Sequence, residues 1–412
     1  MICALGMMPS LIFTVAVNAD QTEFSGKYLR KRSRYYVIEC DVEPELANEI
    51  GMHMDAVFKE YYLRLKSYGG KIKERFKVTV FKNKDDYLRA GGIPGSGGVY
   101  ISNKKTLSAH ATGARESTLR VLYHEGFHQF TDVFLGGNRY LSPWISEGMA
   151  QIFEDATWNG KRFEIGEVPT YRVAVLKKAM KNRTLIPLDT LVTMSRRTWN
   201  ENMTDSKMAR LQYFEAWSVV YFLVYAKPKY RKALIRYLRL LNQKVGSLES
   251  FSKAFGSNMK SFEARWLEYL DKLKPSPKFV CRKNLHAMGW FIAYAAQTPK
   301  NLADFPSFAT YFRQAFERGA SIRPYGEEKI SSKTPERIEA LLRCPLKISP
   351  KSKNYVIKSK QDAKDSAERI TGTMIQCELH KGIMLNVRCV KSSPGNFRSV
   401  VEEIISRGPM KQ

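Results

Sequence analysis

Between residues 117 and 154 the sequence specifies a helix, an enforced stop and a second helix, and this pair limits the fold more than any other feature. Leu119, Leu122, Tyr123, Phe127, Phe130 and Phe134 recur at three- and four-residue spacing, which predicts an apolar stripe on a helix from about Ser117 to Phe134. Gly136 and Gly137 end it, because glycine takes up the backbone conformation that closes a helix at little cost. Ser142 is placed to cap the next helix and Pro143 fits its first position, ahead of "WISEGMAQIFEDA".

The first helix carries "VLYHEGFHQF". His124 and His128 are four residues apart, so on a helix both imidazoles leave the same face and can converge on one ion. Glu125, one step round, can reach a water held on that ion. A catalytic zinc needs a third protein ligand and one open position. Glu147 meets the first need: it follows His128 after 18 intervening residues and lies near the start of the second helix. The competing reading is a helix that carries polar residues on its exposed side. A metzincin is excluded, since the positions three and six residues after His128 hold Thr131 and Phe134 instead of glycine and histidine.

With those residues in place the segment resembles the gluzincin metallopeptidases, the thermolysin-like superfamily that includes the aminopeptidase N family. The resemblance rests on His124-Glu125-Gly126-Phe127-His128, the 18-residue gap, and Trp144-Ile145-Ser146-Glu147-Gly148-Met149-Ala150 ending at Glu154. The wider chain is similar to peptidase-MA-like domains of exported bacterial proteins over about residues 35–275. This likeness implies an α+β, thermolysin-like zincin: a small mixed sheet-plus-helix lobe, a zinc-binding helix pair and a mainly helical second lobe, to which the chain adds a C-terminal region that the likeness does not cover. It also implies one Zn2+ per chain, a peptide or protein substrate, and Glu125 as the general base that activates zinc-bound water.

Further roles follow from the same likeness. Related aminopeptidases stabilise the oxyanion with a tyrosine on a later helix, which points to Tyr213 in "LQYFEAWSVVYFL", with Tyr221 as the weaker candidate and an aromatic core position as the competing reading. Glu154, two turns past Glu147, is the candidate for orienting the ligating histidines, and Asp132 is another. An extended substrate would pair with a sheet edge, for which Gly98, Val99 and Tyr100 in "GGVYISNKK" are the candidates, while His110 reads as a loop residue. The G-x-M-E-N segment with which aminopeptidases hold a free amine has no counterpart, so an endopeptidase is favoured.

The rest of the chain sets context. "RYYVIECD" and "KVTVFKN" read as strands flanking a helix, and "TWNGKRFEI" as a hairpin. A metallopeptidase domain is expected over residues 35–275, divided into 35–160 and a helical 161–275, with "KPSPK" at 274–278 as a linker to a basic region, 280–412. Residues 1–19 read as a signal peptide, which places the protein outside the cytoplasm, in the periplasm or extracellular space. No later segment reaches the roughly 20 apolar residues of a spanning helix. A disulfide between Cys377 and Cys389 is compatible with export.

The formal charge of +27 includes "KYLRKRSR" at 27–34 and six lysines from Lys347 to Lys364. Adhesion to an anionic cell-envelope surface fits this charge, whereas nucleic-acid recognition finds no motif. Two classes of function therefore stand at this point: an exported zinc peptidase, and a catalytically silent scaffold that keeps the zinc-site residues.

Overall fold

In a computed structural model, the residues described are 22–25, 28–66, 72, 74–111, 115–135, 141–158, 162–277, 279–280, 308–319, 321, 330–342, 346–348, 372–379, 383–393 and 396–405. The expected signal peptide lies outside them. The architecture is mixed α+β, and the chain divides into two compact units, Met1–Gly136 and Gly137–Gln412.

The first unit is a six-stranded mixed sheet with two long helices. Strands β1 (Thr22–Ser25), β2 (Tyr28–Arg32) and β3 (Tyr36–Cys40) form an antiparallel meander. Helix α1 (Pro44–Leu65) then crosses over to β4 (Phe76–Phe81), which runs parallel to β3, as a connection of this length permits. After the short α2 (Lys84–Arg89), a tight pair of antiparallel strands, β5 (Gly98–Ile101) and β6 (Thr106–His110), inserts β6 parallel to β4 and leaves β5 at the sheet edge. Helix α3 (Arg115–Phe134) completes the unit.

The strand-helix-strand order was legible, and α3, read from the sequence as the first of the metal-binding helix pair, packs on the same sheet as α1. Buried Ile50, Met54, Val57, Phe58, Tyr61 and Leu65 give α1 its inward stripe. Phe58 meets Tyr36, Phe76 and Phe130 at ring-centroid distances of 6.2, 5.6 and 5.3 Å, so one aromatic cluster joins sheet, α1 and α3. Burying each such side chain contributes about 1.5–3 kcal/mol.

Part of the basic run at 27–34 is not a free cationic surface. It forms β2, where Leu29 is buried, Lys31 is buried and donates to Asn48 Oδ1 at 2.5 Å, and Arg30 pairs with Glu39 at 3.4 Å. The alternation of a strand was hidden because an inward position carries a lysine, whose long stem packs like an apolar side chain.

The second unit is mainly helical. Its elements are α4 (Pro143–Glu154), a two-stranded hairpin β7 (Thr157–Trp158) and β8 (Phe163–Glu164), α5 (Thr170–Lys181), α6 (Leu188–Thr193), α7 (Arg196–Glu201), α8 (Ser206–Tyr225), α9 (Pro228–Asn242), α10 (Ser247–Phe255) and α11 (Met259–Lys272). Helix α8 is the centre of this unit, with Ala216, Trp217, Val219, Val220 and Leu223 buried, and α4 lies against it. Gly148 makes that approach possible: a Cβ there would fall 2.5 Å from the Ala216 carbonyl oxygen, a backbone atom that cannot step aside.

Within the expected linker at 274–278, the described residues 274–277 are instead docked. Ser276 accepts the Val168 N–H through its hydroxyl at 2.8 Å and donates its own N–H to the Val168 carbonyl at 3.0 Å, and Phe279 is buried close by against Tyr171. Beyond it are helices at Phe308–Glu317 and Pro335–Leu342 and a four-stranded antiparallel sheet, β9 (Leu346–Ile348), β10 (Gly372–Leu379), β11 (Ile383–Ser393) and β12 (Asn396–Ile405). The register sets Cys377 opposite Leu385 and Cys389 opposite Gly372. Four residues of strand separate the two cysteine positions, about 13 Å, beyond the roughly 7 Å that a disulfide spans, so the expected Cys377–Cys389 bridge does not fit. Of the six lysines from Lys347 to Lys364, all but Lys347 lie outside the described residues. Among the described residues no helix is long and apolar enough to cross a membrane.

Candidate metal centre

The two histidines stand where the helical spacing put them. On α3 the Nε2 atoms of His124 and His128 are 3.2 Å apart, with ring centroids 5.0 Å apart. Two nitrogens each about 2.0–2.1 Å from one tetrahedral ion would be separated by roughly 3.3 Å, so the pair already has the spacing of two ligands to zinc.

The helix is held by α1 and by the sheet. Gly126, inside the histidine pair, lets α1 approach, since a Cβ there would lie 2.9 Å from Met54 Cε. The Tyr61 hydroxyl donates to the Tyr123 carbonyl at 2.5 Å, and buried His53 shares a hydrogen bond with the Tyr123 hydroxyl. Burial pushes the His53 pKa down to about 4, so it stays neutral there. Gln129 donates to the carbonyls of Lys77 and Lys105, fixing α3 to the sheet.

Glu125 and the edge strand meet. The Tyr100 backbone N–H donates to Glu125 Oε2 at 2.8 Å, while the Tyr100 hydroxyl donates to Asp132 at 2.7 Å and Ser102 donates to the same oxygen at 3.0 Å. Burial first, and Asp132 second, raise the Tyr100 pKa well above its usual value. One residue of β5 is thus tied to α3 by backbone and side chain together. His110 ends β6 and is no loop residue; its Nε2 is 3.1 Å from the Ser96 carbonyl.

In the second unit Glu147 lies in the early part of α4 and is buried. Ser142 occupies the cap position but does not cap; its hydroxyl goes to Ser247 at 2.7 Å. Arg196 donates to Glu147 Oε1 at 3.1 Å, a partner the sequence did not announce. Gln151, one turn on, donates to the Glu147 carbonyl at 3.2 Å and to the Tyr213 carbonyl at 2.7 Å, linking the turn that bears Glu147 to α8.

Glu154 pairs with Arg172 at 3.4 Å, and the same arginine donates to Asp155 at 2.7 Å and hydrogen-bonds Gln151. Arg172 is buried against Phe214 and Trp217, and although burial pulls its pKa down, Asp155 and Glu154 more than compensate and hold it charged.

Of the two tyrosines weighed for the oxyanion, Tyr213 is half-buried with its ring edge-on to Trp199, at 5.2 Å. Tyr221 is buried and its hydroxyl is spent on the Gly166 carbonyl at 2.9 Å.

Glu215, on α8 between them, carries a pH signature. Both its oxygens accept the Ile186 N–H at 3.0 Å, and burial pushes its pKa up to about 8, against the opposing effect of that N–H and with Glu263 adding to the rise. A carboxyl that is harder to ionise folded than unfolded stabilises fully below its unfolded pKa, and that stability is lost as pH climbs from about 4.5 towards 8. Urea unfolding should therefore show stability falling between pH 5 and pH 8 by on the order of a few kcal/mol, with Glu215→Gln flattening the fall. An unchanged slope in the variant would show that another group controls it.

His124, His128 and Glu147 each offer one ligand atom, all within 4.8 Å of one another, so the cluster could hold a metal ion. Two imidazoles and a carboxylate suit zinc, as one of the donor sets of catalytic zinc sites.

A family model described as "Protein of unknown function (DUF1570)" matches residues 117–246, a stretch that contains both histidines, Glu125, Glu147, Arg196 and Tyr213. No curated protein matches the chain.

Proposed function

We propose that this chain is a zinc-dependent peptide hydrolase of the gluzincin kind, acting as an endopeptidase. The observation that carries the proposal is the grouping of His124, His128 and Glu147, with Glu125 next to the first histidine and bonded to a sheet-edge amide.

His124, His128 and Glu147 would hold the ion. When bound, zinc lowers the pKa of a coordinated water to about 7 and polarises a carbonyl. Glu125 takes the proton of the attacking water and passes it to the leaving amine, which its place one residue from His124 and its acceptor-only chemistry allow. Tyr213 donates to the developing oxyanion. The β5 edge aligns an extended substrate. Gly97 accepts the His110 N–H, which puts the backbone groups of Gly98 and Tyr100 on the side away from β6. Because the Tyr100 N–H is engaged by Glu125, the groups left to pair with a peptide are the Gly98 N–H and the carbonyls of Gly98 and Tyr100.

The test begins with metal content. Purified protein should carry about one zinc, and His124→Ala, His128→Ala or Glu147→Ala should each lose it together with cleavage of an unfolded protein such as reduced casein. Retention of zinc by all three variants would show that the metal sits elsewhere. A chain that binds one zinc but leaves every peptide in a broad library intact would be a scaffold rather than an enzyme.

A further inference from the structure

We infer that Arg196 is a resident counter-cation on the carboxylate of Glu147, and that this contact sets how tightly the site takes a divalent metal. The inference rests on the metal-site reading above and concerns a residue that the reading did not use.

Arg196 is the first residue of α7, and its backbone is fixed because the preceding Ser195 caps that helix by accepting the Thr198 N–H at 3.1 Å. From there its guanidinium reaches Glu147 Oε1 at 3.1 Å, across 49 residues of sequence. The pair is asymmetric: the Glu147 side chain is 7% exposed, whereas that of Arg196 is 45% exposed. Glu147 is thus held in place by protein, and a guanidinium partly in water can leave at small desolvation cost. The arginine is the partner free to yield.

A divalent ion arriving at Glu147 competes with Arg196 for the same oxygens and is repelled by its charge. Hydrogen-bond partners that make a ligand more basic strengthen metal binding. A cation on the carboxylate does the reverse, because it withdraws electron density and occupies a lone pair. In the metal-free protein the same contact keeps the Glu147 carboxylate aimed, so the ligand is preformed but its affinity for the ion is moderated.

Arg197 supplies the internal control. It lies one residue away and carries the same charge, but it pairs with Glu201 at 2.9 Å and its side chain is 89% exposed.

The experiment is titration of the full chain with Zn2+ and, separately, Co2+ against a chromophoric chelator, with release to excess chelator as the kinetic readout. Arg196→Gln should tighten the dissociation constant by about ten- to a hundredfold and slow release, by analogy with the usual size of effects from groups that touch metal ligands. Arg196→Lys should stay near wild type, since the charge remains, and Arg197→Gln should change affinity less than about twofold, as expected for a solvent-screened charge. Equal or weaker metal binding by Arg196→Gln, or the same tightening in Arg197→Gln, would overturn the inference while leaving the metal site intact. If neither wild type nor Arg196→Gln binds either ion, the metal-site reading itself fails, and this inference with it.

Discussion

Replacement of Glu125 by glutamine is expected to leave about one zinc per chain in place and to cut hydrolysis of an unfolded protein by about 10²–10⁴-fold, the range that a general base contributes. The substitution is nearly isosteric and keeps an oxygen able to accept the Tyr100 N–H, so β5 and α3 stay joined. What it removes is the capacity to take a proton. The loss corresponds to about 3–5 kcal/mol of transition-state stabilisation. Metal content and initial rate measured on the same sample separate the possible causes. A variant that is inactive because it has lost zinc would redirect attention to the ligands, and one that retains wild-type rate would mean that some other group is the base.

The largest expected effect on stability lies on the other side of Glu147's helix end. Asp155 is buried, accepts the Tyr171 hydroxyl at 2.8 Å and pairs with Arg172 at 2.7 Å. Asp155→Ala leaves a guanidinium sealed among Phe214, Trp217 and Tyr171, with Glu154 as a more distant carboxylate at 3.4 Å. Breaking a buried pair from one side costs about 3–5 kcal/mol, because the remaining charge is uncompensated. Replacing both partners with apolar residues, Asp155→Leu with Arg172→Met, should cost clearly less than Asp155→Ala alone. Denaturant unfolding of the two variants decides this, and equal destabilisation would show that the shape of the residues, not the stranded charge, sets the cost. Since Arg172 also bonds Gln151 and Glu154, the single variant should loosen the end of α4 that follows Glu147.

The two helices at the centre were readable from sequence because their signals are local. The first was placed at 117–134 and runs from Arg115 to Phe134; the second was placed from Pro143 and ends at Glu154. Periodic apolar residues and the proline at the first helical position act within a few residues of where they are written. The ligand spacing was local in the same way, since a four-residue step on a helix fixes two side chains.

Contacts between distant segments were not legible. Arg196 sits in a polar stretch, and nothing in its neighbours announces a bond to Glu147. The Tyr100–Glu125 contact uses a backbone N–H, which every residue but proline has, so no residue type marks it. "KPSPK" looked like a linker from its composition, yet Ser276 pairs with Val168 in a way that only the folded path reveals. The charged run at 27–34 concealed a strand because burial of Lys31 depends on Asn48, on a different element.

The Tyr100 amide also offers a way to observe the chemistry without a substrate. Its proton points at a carboxylate whose charge and position are the variables of the proposed reaction, and the hydroxyl of the same residue holds the strand to Asp132 while that carboxylate changes. Its nuclear magnetic resonance is therefore an intrinsic gauge of the occupancy of Glu125, shifting when the carboxylate is protonated, neutralised or drawn towards a bound inhibitor. A label on the nitrogen of this one residue would report the state of the base directly, in a protein whose substrate need not be known.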